Sequence, residues 1–352
     1  MTTTKTPASI GWQFRIELAA GARRPTWLKA RKGRITGSKI SDIMGHGYHD
    51  VHDRYLLERG ELVDDPAPSL AMKRGTLMEP EILKTAAADP ARPGAFEVLT
   101  TPSFVLHPTE DWIGCSPDFL ATSSSPPFCD KWGSWPVKIY GEIKSRDSSQ
   151  RAHYKGGGCK PADRLQVLLG CICTGADLGL LVVEMQSNVQ YRIIERDPDL
   201  EAEMIAAASK FRRAVGNGNR GDLLELAESG EVRRAIVSER YAESRPDTID
   251  TEDPDIESLV AYVSELRENR SEIMEIIAQT EALIGDFMGE AEHLSTPDYS
   301  AHFPASRPGR RTFSVNALKA ALPHIDLEPY YKTSKPKGRG TLRIRRKDDD
   351  EI

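Results

Sequence analysis

The sequence predicts an α/β (α+β) fold followed by a C-terminal helical extension, and three observations carry that reading. Short segments alternate apolar and polar residues, as in Val137-Lys138-Ile139-Tyr140, which is the period of a strand. Between such segments apolar residues recur at helical spacing, as in Leu200, Met204, Ala208, Phe211 and Val215. A third stretch, from Ile256 to Phe287, keeps helical spacing over a much longer run.

The elements follow in order. Residues 1–9 are expected to be disordered, and 10–217 to form the main domain. Gly11 to Ala20 reads as a short helix. Thr36 or Ser38 can cap a helix through Ile40 and Ile43, which Gly45 and Gly47 would end. Arg54 to Leu62 reads as a second helix. Another is expected to begin at Pro80, a favoured first-turn position, leaving Glu79 at its mouth. Phe96 to Leu106 reads as a strand, as does Trp112 to Leu120. A long hairpin insertion, Ala121 to Lys138, leads to the strand over 137–144. Asp163 to Cys173 is an apolar helix, Gly179 to Met185 a buried strand, and Val189 to Ile194 an edge strand. Gly216-Asn217-Gly218-Asn219 closes the core. Residues 218–254 read as an acidic linker region, 255–293 as a long amphipathic helix, and 294–352 as a basic segment with an acidic end. The stripe of the long helix needs a partner: its own core, a second protomer or another protein. Arg270 and Thr280 interrupt its seam.

Composition frames the functional classes. A chain of 352 residues, 39% hydrophobic and 28% charged, has room for one large globular domain and an appendage. No apolar run reaches the roughly 18 residues that span a bilayer, and Met1 to Ser9 lacks the apolar core of a signal peptide. No membrane partner and a cytoplasmic location are the expectation. Five cysteines, an odd number without a C-x-x-C, fit that compartment, and Cys171 and Cys173 read as core packing. The net charge of −6 hides segregated blocks. Asp247 to Glu292 holds fourteen acidic residues against Arg267 and Arg270, whereas Arg307 to Lys347 holds twelve basic ones against Asp326 and Glu328. A further basic cluster comprises Arg23, Arg24, Lys29, Arg31, Lys32 and Arg34. Local field rather than net charge decides whether such a chain binds nucleic acid.

The chemistry is carried by Glu79, Asp118, Glu142 and Lys144. Side chains alternate along a strand, so Glu142 and Lys144 share a face while Ile143 points to the other. If Asp118 lies on the neighbouring strand, two carboxylates and one ammonium converge. Carboxylate oxygens are the hard ligands that Mg²⁺ or Mn²⁺ prefers. Glu-Ile-Lys alone is a common tripeptide, and a solvated cross-strand pair is its competing reading. His46, His49 and His52, with Asp50 and Asp53 nearby, could hold zinc but read better as a polar loop. Gly156-Gly157-Gly158 is no phosphate loop, because no Gly-Lys-Ser/Thr follows it.

Five motifs in order resemble the phage lambda exonuclease and YqaJ-type viral recombinase nucleases, a branch of the PD-(D/E)XK superfamily. They are Trp27 to Ser38 (W-x3-R-x-G-x-I-T-x-S), Gly75 to Glu79 (G-x3-E), Ser116-Pro117-Asp118, Glu142-Ile143-Lys144, and Gln166-Val167 with Thr174-Gly175. Arg311 to Lys319, Pro323, Asp326 and Tyr330 resemble the tail of many YqaJ-type proteins. Three departures stand out: Leu168 occupies the place of a second glutamine, Phe119 that of a glycine, and Pro80 follows Glu79.

The resemblance implies a restriction-endonuclease-like core with a mixed central sheet flanked by helices. It also implies a metal-dependent DNA exonuclease, acting 5′→3′ on double-stranded ends and leaving 3′ single-stranded tails for phage-type recombination. Asp118, Glu142 and the Ile143 backbone carbonyl would hold two Mg²⁺ or Mn²⁺ ions, with Glu79 in support. Lys144 would orient and help deprotonate the attacking water, and Gln166 would position Lys144 or that water. Arg31, Ser38 and Ser116 match positions that contact a 5′-phosphate. An iron–sulfur cluster, found in a sister family with four cysteines, is not expected. Double-stranded DNA ends are the implied partner, with a single-strand annealing protein and a homo-oligomer as further ones. A site-specific or structure-specific endonuclease, and a protein that binds DNA ends without cleaving, stay open as alternatives.

Overall fold

A computed structural model of the chain describes residues 11–63, 70–126, 128, 136–186, 188–242, 248–297, 299–302 and 318. The chain divides into two compact units, Met1–Arg240 and Tyr241–Ile352. The expectation for residues 1–9 and the tail-like segment from Arg311 to Tyr330, Leu318 apart, lie outside the described residues.

The first unit is built on a five-stranded mixed sheet of order β2-β5-β6-β7-β8. Its strands are β2 (Glu97–Thr100), β5 (Phe119–Ser123), β6 (Val137–Arg146), β7 (Leu178–Met185) and β8 (Asn188–Glu195). β6 and β7 run parallel and the other neighbours antiparallel. A parallel pair needs a crossover, and helix α5 (Pro161–Thr174) supplies it. A small sheet of β1 (Arg15–Leu18), β3 (Phe104–Leu106) and β4 (Gly114–Cys115) lies in the same unit.

Helices cover both faces of the main sheet. On one face Leu120, Tyr140, Leu181 and Val183 pack with Leu165, Leu168 and Leu169 of α5 and with Ile40 and Ile43 of α2 (Gly37–Ile43). On the other, Phe119, Ile139, Ile143 and Val182 pack with Ile82 and Ala86 of α4 (Leu70–Ala88). The unit also holds helices α1 (Arg24–Arg31), α3 (Val51–Arg59), α6 (Pro198–Asn217) and α7 (Gly230–Arg240), and 3-10 helices over Ser148–Gly157 and Arg220–Leu223. Close approach at the first face needs small residues. A Cβ on Gly170 of α5 would run into the Tyr140 ring, so glycine lets the helix lie on β6.

Several expectations are corrected. Residues 15–18 form a strand, not part of a helix: Phe14, Ile16 and Leu18 alternate with Arg15 and Glu17. The strand expected over 96–106 is two, in different sheets, because Pro102 lacks the N–H that would continue the ladder. Pro117 divides β4 from β5 in the same way. Glu79 lies inside α4 rather than at a helix mouth: the helix runs through Pro80. Burial of Ile82 and Ala86 offsets the hydrogen bond that the proline loses. The connection between β5 and β6 spans 124–136, shorter than the insertion expected. Residues read as linker carry α7, and Leu223, Ala227 and Ile236 bury into the core, so the first unit extends past Asn217 to Arg240.

The second unit holds α8 (Pro254–Met288), capped by the Asp253 side chain on the Asp255 N–H, and a hairpin of β9 (His293–Ser295) and β10 (Ser300–His302). No described helix is long and apolar enough to cross a membrane.

Candidate active site

β6 organises the site. Ile139 and Ile143 pack on the α4 side, whereas Tyr140, Glu142, Lys144 and Arg146 turn toward α5. Lys144 Nζ donates to Glu142 Oε1 at 2.6 Å and to Gln166 Oε1 at 2.7 Å. The Tyr140 hydroxyl donates to Glu142 Oε2 at 3.0 Å. Asp118 stands just before β5. Its N–H donates to the Gly141 carbonyl at 3.2 Å, and its Oδ2 accepts the Ile143 N–H at 2.6 Å. Parity places it with Leu120, on the face of Glu142 and Lys144. The tight β5–β6 pairing, Phe119 opposite Gly141, therefore brings Asp118, Glu142 and Lys144 together.

Gln166 reaches Lys144 from α5, and Gly37 at the start of α2 makes room: a Cβ there would stand 3.1 Å from Gln166 Cγ. Next along β6, Arg146 Nη2 donates to Asp163 Oδ1 at 2.5 Å, and the Tyr154 hydroxyl donates to the other Asp163 oxygen. This second network ties α5 to the same strand.

The electrostatics couple the acids. Burial, then Glu142, pushes the Asp118 carboxyl well above the ordinary carboxylate range. Glu79 is raised by burial and then Glu142, with Lys144 opposing. Burial pulls Lys144 down, but Glu142, Asp118 and Asp163 outweigh it and the net shift is upward, so the ammonium keeps its proton. When all are ionised, three carboxylates against one ammonium carry a net charge of −2.

That excess of hard oxygen donors is the chemistry of a divalent cation site. The residues fit such an ion by donor type and charge, although both Glu142 oxygens are engaged by Tyr140 and Lys144. Among the described residues, two sets bring three ligand atoms within 4.8 Å of one another, Asp50-His52-Asp53 and Glu292-His293-His302, and Glu79, Asp118 and Glu142 are in neither. His46 and His49 are in neither set, and His52 Nε2 lies 3.2 Å from Glu239 Oε2.

Arg31, Ser38 and Ser116 are also brought together. Arg31 Nη2 donates to Thr36 Oγ1 at 3.2 Å and Ser38 Oγ at 3.1 Å. Its guanidinium lies 4.1 Å from the centre of the Trp27 ring, and Trp27 Nε1 donates to Ser116 Oγ at 2.9 Å. Burial lowers Arg31 to about 10, partly opposed by Glu142 and Tyr140, so it stays cationic at neutral pH. Its remaining N–H groups make no hydrogen bond to the described residues.

Trp27, Thr36, Tyr140, Arg146 and Asp163 have no site role in the reading of the sequence. The signals existed in part. Trp27 and Thr36 lie inside the first motif, and Tyr140 and Arg146 share the alternation of Glu142 and Lys144. The role of Asp163 depends on how α5 docks, which no local pattern shows.

Comparison with known proteins adds a match to one family model. The family model "YqaJ-like viral recombinase domain" matches residues 26–177. No curated protein matches the chain. Solved structures similar to it include an alkaline exonuclease from Laribacter hongkongensis, at 22% identity and TM-score 0.43, covering 55% of this chain and 93% of that one. The same exonuclease in complex with dAMP gives 23% identity and TM-score 0.44, with the same shares. A phage-related exonuclease from Haemophilus somnus 129PT gives 11% identity and TM-score 0.35, covering 53% of this chain and 96% of that one. Residues 26–177, which include Trp27, Arg31, Asp118, Glu142, Lys144 and Gln166, are thus similar to the YqaJ-like viral recombinase domain.

Proposed function

We propose that this protein is a divalent-metal-dependent deoxyribonuclease that digests double-stranded DNA from its ends in the 5′→3′ direction, leaving 3′ single-stranded tails for recombination. The observation that carries this reading is the joining of two groups. One is the acid–lysine cluster of Asp118, Glu142 and Lys144, and the other is the Arg31–Ser38–Ser116 cluster, whose arginine is electrostatically coupled to Glu142.

Phosphate-ester hydrolysis is among the slowest uncatalysed reactions, and its transition state gathers negative charge. Asp118, Glu142, the Ile143 carbonyl and Glu79 would hold Mg²⁺ or Mn²⁺, which when bound polarises a phosphoryl oxygen and offsets that charge. The protein's own groups do the rest. Lys144 keeps its proton on Nζ and offers it as a donor that orients the attacking water. Gln166 Oε1 and Glu142 Oε1 fix the ammonium in place. Tyr140 holds the second Glu142 oxygen. Arg31 gives a charged, planar fork to a terminal 5′-phosphate, and the Ser38 and Ser116 hydroxyls add neutral donors.

A 5′-labelled linear duplex with Mg²⁺ tests the proposal, with covalently closed circles and Asp118→Ala as comparisons. The proposal expects label release from linear DNA, intact circles and an inert variant. Cleavage of closed circles would point to an endonuclease, and binding without label release to a non-cleaving end-binding protein.

A further inference from the structure

α8 presents an apolar seam with the period of a coiled coil. Read in heptads from Ile256, the a positions hold Ile256, Val263, Ile277 and Ile284, with Arg270 in the middle. The d positions hold Leu259, Leu266, Ile273 and Phe287, with Thr280 the fourth of the five. Val263 is half-buried, and the other apolar residues of the seam are exposed, from 39% for Ile284 to 79% for Phe287. A repeat of seven is slightly shorter than two turns of a straight helix. Such a seam stays in register with a partner only when the helices wind around each other with a left-handed twist.

The charges say which occupant fits. Of the eight acidic residues in α8, six (Glu257, Glu265, Glu268, Glu272, Glu275 and Asp286) fall at b, c and f, away from the seam. Two copies can close on the seam without setting these acids against one another. A basic segment seated on the acids would leave the seam bare. The area is also sufficient. A helix of 35 residues is about 52 Å long, and a strip about 10 Å wide gives about 1,000 Å² over two copies, the size at which specific interfaces begin.

We propose that α8 pairs in parallel with α8 of a second copy of this chain, forming a two-stranded left-handed coiled coil. Isoleucine and valine at a with leucine at the first two d positions favour two strands where the helices run parallel. Arg270 at the central a position sets the register. In the aligned pair the two Arg270 side chains lie side by side and their long stems carry the guanidinium groups out to water. A slip of one heptad would put each opposite an apolar a residue.

Sedimentation velocity of the full chain at micromolar concentration tests this. The wild type is expected at twice the mass of one chain, and Leu266→Glu/Ile277→Glu at the mass of one, with the melting of the first unit unchanged. Arg270→Leu, which removes the polar a residue without breaking the helix, is expected to tighten association by about tenfold. Ile277→Cys is expected to form an interchain disulfide that the wild type lacks under the same oxidation. A wild type of one or three chain masses, or a double glutamate variant that keeps the wild-type mass, would overturn the proposal.

Discussion

Helices α5 and α8 both carry apolar residues at helical spacing, yet nine of the fourteen residues of α5 are buried and one of the 35 of α8 is. The difference is not in the helices but in what surrounds them. α5 crosses over between β6 and β7 and packs on the sheet and on α2, so both its apolar and its polar residues have fixed neighbours. α8 has the same kind of face without such a cover among the described residues. A hydrophobic period therefore says that a face is to be covered; for α5 the topology of the sheet supplies the cover. Function follows the cover. Because α5 is held against β6, Gln166 and Asp163 stand beside Lys144 and Arg146.

The sharpest way to break this comparison is to place the same charge in both helices. Leu168→Asp puts a carboxylate into the fully buried face of α5, where nothing pairs it. The expected cost is about 3–5 kcal/mol, enough to abolish cooperative melting of the first unit in calorimetry. Leu266→Asp in α8 is expected to leave that transition where it was. Equal effects at the two sites would mean that α8 is as enclosed as α5.

A smaller effect is expected from Gly170→Ala. The added methyl group meets the Tyr140 ring, and overpacking of this kind costs about 1–3 kcal/mol. Since Tyr140 donates to Glu142, turnover on linear DNA should fall together with the melting temperature. Tyr140→Phe should keep the fold and lose only the hydrogen bond. If Gly170→Ala melts low but turns over normally, Tyr140 has no part in holding Glu142.

The smallest effect sharpens the other half of the site. Arg31→Lys keeps the charge but removes the planar fork. Initial rates on 5′-phosphorylated and 5′-hydroxyl duplexes should differ less in the variant than in the wild type, by about tenfold, the worth of one or two charge-assisted hydrogen bonds. An unchanged ratio would remove Arg31 from end recognition.

How much of this was legible in the sequence depends on the range of the interaction. Glu142 and Lys144 share a face because two positions separate them on a strand, and that geometry is local. The strands β6, β7 and β8 were legible for the same reason. The place of Glu79 was not, because a proline after it argues for a helix start, and only the burial of Ile82 and Ala86 carries the helix through. β1 was missed because four residues of alternation are a weak signal until β3 pairs with them. Thr36 was read as a cap, yet no cap hydrogen bond forms. Its side chain instead accepts from Arg31, five residues back, and so belongs to the candidate phosphate pocket.

In the proposed function, the acid–lysine cluster of Asp118, Glu142 and Lys144 cleaves DNA from its ends. The most direct measurement is the single-turnover rate of release from a 5′-labelled linear duplex in Mg²⁺, for the intact chain, Asp118→Ala and Lys144→Ala. Release by the intact chain and a loss of about 10³-fold or more in each variant are expected, with duplex binding retained, since each variant removes a group that acts on the transition state. Wild-type rates in the variants, or no release by the intact chain under conditions where it binds the duplex, would contradict the proposed function.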